Sequence, residues 1–148
     1  MRRARVYTVF LVMLGSMLAP AGAQAGDART SVIESVNQIR ASNGLNRLRP
    51  SPSLSRTSSS FSSHMMKQGA FGHRPRVSAS NRFKTLGEAL AMHFGHKPRA
   101  GATVRRWMNS LGHRAVILKP GVSWVGAGYH RGRFRGRRAT IWVLQVGK

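Results

Sequence analysis

The sequence predicts a single α+β domain, and three observations carry that prediction. Apolar residues recur at three- and four-residue spacing in the early segments, two extended apolar segments close the chain, and no alternating βαβ order links them. With 148 residues the chain has room for one ordinary domain and not for two.

The first element is a helix beginning at Ser31, with Val32, Ile33, Val36 and Ile39 as its apolar stripe. Thr30 or Ser31 can cap it, Glu34 suits its first turn, and Gly44 ends it. Ser51-Pro52 is a second start signal: a capping hydroxyl followed by proline, which lacks only an amide that the first turn leaves unpaired anyway. The helix it opens runs from 52 to about 68 and buries Leu54, Phe61, Met65 and Met66. Gly69 to Ser80 reads as a loop, Asn81 to Leu86 as a short helix, Glu88 to Met92 as a brief extended piece, and 95–101 as loop. A third helix covers Thr103 to Ser110, with Val104, Trp107 and Met108 on one side. Val122 to Tyr129 and Thr140 to Val146 are the two clear strands, joined by the arginine-rich His130 to Arg138. Trp107, Trp124 and Trp142 are expected to anchor the core.

Residues 1–25 have the form of an export leader. Arg2, Arg3 and Arg5 precede an apolar run from Val6 to Ala19, and small-x-small cleavage sites follow Pro20 at Ala21-Gly-Ala23 and Ala23-Gln-Ala25. The run is shorter than the roughly 20 apolar residues a membrane span needs, so the expectation is cleavage rather than anchorage. Residues 26–30 are then a short tail and 31–148 the domain, secreted or periplasmic.

Charge and cysteine count narrow the chemistry. Twenty-five Lys and Arg oppose three acids, Asp27, Glu34 and Glu88, and losing Arg2, Arg3 and Arg5 with the leader lowers +22 to +19. Most arginines therefore cannot meet a carboxylate, and the surface attracts polyanions: phosphorylated glycolipid, anionic lipid headgroups, acidic polymer or nucleic acid. Arg131, Arg133, Arg135 and Arg137 alternate, which on an extended ribbon would place them on one face, with Arg138 beside them, as a phosphate-contacting patch. The absence of cysteine excludes disulfides, thiol nucleophiles and thiolate metal sites. The absence of a Gly-x-Ser-x-Gly elbow and the scarcity of acids to orient a histidine argue against a serine hydrolase. His64, His93, His96 and His130 have no partner visible in the sequence and read as surface or packing residues.

Several short signals occur in a telling order: Asn37-x-x-Arg40 with Gly44-Leu45, Phe71-Gly-His73, Gly87-Glu88, Trp107-Met-Asn-Ser110-Leu-Gly-His113 running on to Pro120, Val125-Gly-Ala-Gly128-Tyr129, and Ile141-Trp142. That order resembles the CAP superfamily, the SCP or pathogenesis-related-1-like domain, in its bacterial secreted type, from about Val32 to Val146. The resemblance implies an α-β-α sandwich with a surface cleft lined by histidines and glutamate, here His73, His113 and Glu88. Ala89 stands where the family places asparagine after that glutamate, and Ser110 where eukaryotic members often place a second glutamate.

Two neutral imidazoles and a carboxylate can hold Zn²⁺, with His73 and His113 as its candidate ligands, or can form a hydrogen-bonded acid–base network. The reading is a binding module for a lipid, glycolipid or other anionic envelope ligand, with no catalytic activity assigned. The alternatives are a metal-assisted hydrolase using His73, Glu88 and His113, and an exported polyanion or nucleic-acid binder without sequence preference. No obligate protein partner is implied.

Overall fold

A computed structural model describes residues 27–75, 77, 83 and 86–148. The leader expected at 1–25 lies outside the described residues. So does most of the short helix expected at Asn81–Leu86, whose last residue instead opens a strand.

Helix α1 (Ala28–Ser42) starts three residues before Ser31. Its cap is Asp27, whose carboxylate accepts from the Arg29 amide at 3.3 Å, so Thr30 and Ser31 lie inside the helix and Glu34 beyond its first turn. A two-residue strand, β1 (Arg49–Pro50), leads into α2 (Pro52–Gln68). Here the expected signal operates as read: Ser51 Oγ accepts from the Leu54 amide at 3.3 Å, with proline at the first helical position. Strand β2 (Leu86–Phe94) is longer than the brief piece expected. Helix α3 (Ala100–Met108) ends before Ser110, which instead precedes a helix the sequence does not foretell, α4 (Leu111–Ile117). Only Ile117 is buried in α4, so seven residues carry no periodic stripe to announce it. Strands β3 (Trp124–Phe134) and β4 (Arg137–Gly147) absorb nearly all of the arginine-rich segment into one long hairpin.

The sheet order is β1-β3-β4-β2, with β1 parallel to β3 and the other pairs antiparallel. Helix α2 covers one face and α1, α3 and α4 the other, so the layers are α-β-α. Against the second face lie Val32, Val36, Trp107, Ile117, Val125, Trp142 and Leu144, all fully buried. The α2 face is built from Phe61, Met65, Met66, Leu90, Ile141 and Val143. Trp107 and Trp142 are core anchors as expected, whereas Trp124 is only partly covered and lies beneath the Arg49 guanidinium, 5.7 Å from its centroid.

The Asn37-x-x-Arg40 pair has a structural explanation. Three residues apart on one helix face, the two side chains receive the returning chain. Asn37 exchanges hydrogen bonds with both the carbonyl and the amide of Leu48, at 3.0 and 2.7 Å. Arg40, 1% exposed, donates to the carbonyls of Asn46, Ile117 and Lys119. Its Ile117 bond satisfies an orphan carbonyl at the end of α4, and burial lowers the pKa of its guanidinium.

Candidate functional site

β2 is the sheet edge opposite β1, and its alternation presents two different rows. Glu88, Leu90 and Met92 pair with Gln145, Val143 and Ile141 on the α2 face; Gly87, Ala89, Ala91 and His93 point the other way. Ala89 is fully buried in the core on that second face. The departure from asparagine at this position therefore removes nothing from the Glu88 side.

Glu88 has a side chain 1% exposed, and both of its oxygens are used. Oε1 lies 3.0 Å from His73 Nδ1, and Oε2 accepts from Gln145 Nε2 at 3.0 Å. Gln145, fully buried, in turn accepts from the Thr57 hydroxyl at 2.6 Å. A line of hydrogen bonds thus runs from α2 through β4 and β2 to the loop that carries His73. A carboxylate at this depth is costly unless its lone pairs are met, and this line meets them. Its consequence is orientation: with Nδ1 turned to Glu88, His73 presents Nε2 outward.

His113 comes from α4 and reaches the free edge of β2, where the Leu90 amide points at its Nε2 from 3.5 Å. That contact needs an unprotonated nitrogen. Burial, and then the neighbouring His73, hold the His113 pKa below its ordinary value, so the ring is neutral near pH 7. The His73 and His113 rings lie 6.0 Å apart, centre to centre. Ser110 is one helical turn before His113, and its side chain makes no capping bond. The structure therefore assembles His73, Glu88, His113 and Ser110 along one sheet edge.

Two hollows flank this group and share Phe71, which is 41% exposed. One, of about 340 Å³, is lined by Phe71, Leu90, Ala91 and Met92 with Arg106, Ser110 and His113. The other, of about 290 Å³, lies between α2 and the following loop, with Phe61, Met65, His73 and Arg74 in its walls. Sequence reasoning missed Thr57, Gln145, Arg74 and Arg106. Gln145 had left a signal, since a lone amide in a strand otherwise apolar on both faces requires a buried partner.

Zinc fits the donors poorly. Among the described residues no group of three His, Asp or Glu is placed to hold an ion. Glu88 is committed to His73 and Gln145, which leaves the two imidazoles alone as ligands.

The arginine patch is elsewhere, and it is divided. Arg135-Gly136 forms a two-residue turn with φ of 48° and 80°, so Phe134 pairs with Arg137 and Arg133 with Arg138. Arg131, Arg133 and Arg138 consequently share one face, Arg137 takes the opposite one, and Arg135 sits in the turn. The single face expected from alternation breaks because the turn resets the parity. Arg135 donates to the Gly69 carbonyl at 2.8 Å, and Arg137 lies 3.7 Å above the Phe94 ring. Two of the other histidines also have partners: His93 Nε2 is 2.8 Å from the Thr103 hydroxyl, and His96 Nε2 is 3.3 Å from the Gly132 carbonyl oxygen.

A four-stranded sheet held between helical layers, with a histidine–glutamate cleft on one edge, defines the CAP/SCP class of fold. The profile of the Cysteine-rich secretory protein family (CAP) matches residues 33–146. The chain belongs to that family, although it contains no cysteine. It is 31% identical over 140 residues to uncharacterized protein YkwD of Bacillus subtilis (strain 168), a match taking in 88% of this chain and 50% of that protein. The chain thus spans about half the length of that relative. Its fold is similar to an outer surface protein from Borrelia burgdorferi, with a TM-score of 0.66 at 16% identity over 80% of this chain and 90% of that one. It is also similar to an extracellular SCP-domain protein from Bacillus anthracis str. Ames, with a TM-score of 0.63 at 18% identity over 82% and 40%.

Proposed function

We propose that the domain is an exported binding module whose cleft takes an amphipathic, anionic envelope ligand such as a lipid or glycolipid. The observation that carries this reading is the pair of hollows joined at Phe71: apolar walls of Phe71, Leu90 and Met92 suit a hydrocarbon chain, with Arg106, Ser110 and the two imidazoles at the rim. Export is supported by the leader-like residues 1–25. Among the described residues no helix is long and apolar enough to cross a membrane. The hydrolase reading has less support, because Glu88 has no free oxygen to act as base and the donor set does not suit a metal.

Calorimetric titration with a single-chain phosphatidylglycerol and a single-chain phosphatidylcholine, both below micelle formation, tests the proposal. The anionic lipid should bind with 1:1 stoichiometry and more tightly than the zwitterionic one. Phe71→Ser and Arg106→Ser should each weaken it by about tenfold, the effect of removing one desolvated interaction. Equal binding of both lipids, or affinity untouched by either substitution, would show that the cleft is not the site.

A further inference from the structure

At the other edge of the sheet, beside β1, lies a further and larger hollow of about 540 Å³. Strand order puts β1 and β2 at opposite edges, three strand spacings or roughly 14 Å apart, so this hollow and the histidine cleft are separate. Its walls are residues 44–47 and 120–123 with Arg40, Arg49 and Lys148. They are held to each other by backbone bonds: Arg49 N to Ser123 O and Ser123 N to Gly147 O, both 2.9 Å, and Leu45 N to Arg40 O, 2.9 Å. The hollow is therefore preformed and does not depend on side-chain packing alone.

Four of its lining residues have cationic side chains, Arg40, Arg47, Arg49 and Lys148, and no lining side chain is acidic. Among the described residues the only ion pairs are Arg29–Asp27 and His73–Glu88, so none of these four is neutralised by a carboxylate. Glu34 lines an adjacent hollow with Arg47 and Arg49 but pairs with neither. Arg40 cannot move away from its neighbours: its Nε and Nη1 are tied to three carbonyls, and Nη2 is in none of those bonds. Arg47 and Arg49 flank the buried Leu48 in an extended segment, which turns both outward on the same side. Four like charges gathered around one concave surface repel each other until an anion enters.

We infer that this hollow is a binding site for a multiply charged oxyanion of the phosphate or pyrophosphate class, held by Arg47 and Arg49 with Arg40 and Lys148 behind them. Guanidinium forks match such oxygens two at a time. The volume exceeds what a lone phosphate fills, which favours a diphosphate or a phosphate carried on a larger polar group.

The test compares two double variants that remove the same charge, Arg47→Ser/Arg49→Ser and Arg56→Ser/Arg105→Ser, the second pair being exposed on α2 and α3, titrated with inorganic pyrophosphate at fixed ionic strength. The fluorescence of Trp124 supplies the signal, since Arg49 lies over its ring while Trp107 and Trp142 are fully buried. Wild type should bind saturably at one site. The Arg47/Arg49 variant should lose about tenfold or more, and the Arg56/Arg105 variant should stay within about twofold. Arg47→Ser alone, which leaves the Arg49–Trp124 contact in place, should show a smaller loss in the same direction. Co-sedimentation with phosphatidylglycerol vesicles separates the sources. Arg47/Arg49-dependent binding to vesicles identifies a lipid headgroup, and binding of free pyrophosphate only identifies a soluble ligand. Equal losses in the two double variants, or no saturable binding at millimolar pyrophosphate, overturn the site and leave only the general field of the +22 chain.

Discussion

The two faces of the sheet solve the packing problem in opposite ways. Toward α1 and α3 the gap is filled by large side chains, Trp107, Trp142, Ile117 and Leu144. Toward α2 the far half of the helix packs through Phe61, Met65 and Met66, but its near half is seated on β3 by the absence of side chains. A methyl group on Gly126 would collide with the backbone of Leu54 and Ser55, and one on Gly128 with the backbone of Ser58 and Ser59. Helix α2 therefore lies directly on β3, and Ser58 and Ser62 are fully buried where larger residues would not fit. The lesson is that sensitivity depends on what stands opposite. A filled face yields when a group is removed, because side chains relax, but a face closed backbone to backbone has nothing that can shift cheaply.

That contrast predicts its own breaking points. The largest effect should come from adding one methyl: Gly126→Ala or Gly128→Ala is expected to cost at least about 3 kcal/mol in urea unfolding followed by circular dichroism. A loss below about 1 kcal/mol would mean that α2 can lift off the sheet, and the asymmetry would vanish. Next is Glu88→Ala, which leaves the buried Gln145 amide and His73 without their acceptor; about 2 kcal/mol should be lost. It should also free the His73 ring, seen by NMR as a changed imidazole tautomer, whereas a purely space-filling Glu88 would leave that tautomer alone. On the filled face, Ile117→Val removes one methylene and should cost about 1 kcal/mol, clearly less than the added methyl on the other side.

A smaller effect concerns pH. His93 and His113 both have pKa values held below the ordinary 6.5, chiefly by burial, with Arg106 and Arg99 adding to it at His93 and His73 at His113. As pH falls through about 6.5 the unfolded chain takes up protons before the folded one does, so stability should be constant above pH 7 and decline below that point. Melting temperature measured from pH 7.5 to 5 checks the sign, and the His93→Asn/His113→Asn variant should show a flatter curve. The smallest effect on stability belongs to the hairpin. Replacing Arg131, Arg133, Arg135 and Arg137 with serine should change unfolding by no more than about 1 kcal/mol, since these side chains are exposed beyond both packed faces. The same variant should bind phosphatidylglycerol vesicles more weakly, with a salt dependence flatter by roughly one unit of slope for each phosphate that is no longer bound. Unchanged binding across the salt range would make the hairpin a soluble connector only.

By itself the sequence determined what local chemistry controls. The Ser51-Pro52 start, the apolar stripe of α2, the existence of the two terminal strands though not their length, and the buried Trp107 and Trp142 follow from capping and period, which act over a few residues. The ordered motifs also carried the family and the histidine–glutamate residues. Other features were decided only by the tertiary structure, because their partners are distant in the chain. The Thr57–Gln145 bond joins residues 88 apart, Gln145–Glu88 joins residues 57 apart, and Arg40 finds Ile117 across 77. The division of the arginines between two faces depended on where the Arg135-Gly136 turn falls, and helix α4 on Arg40 and β2 accepting it. A pattern in the sequence marks which residues are to be buried or extended. Which of them meet is settled only when the sheet sets its register.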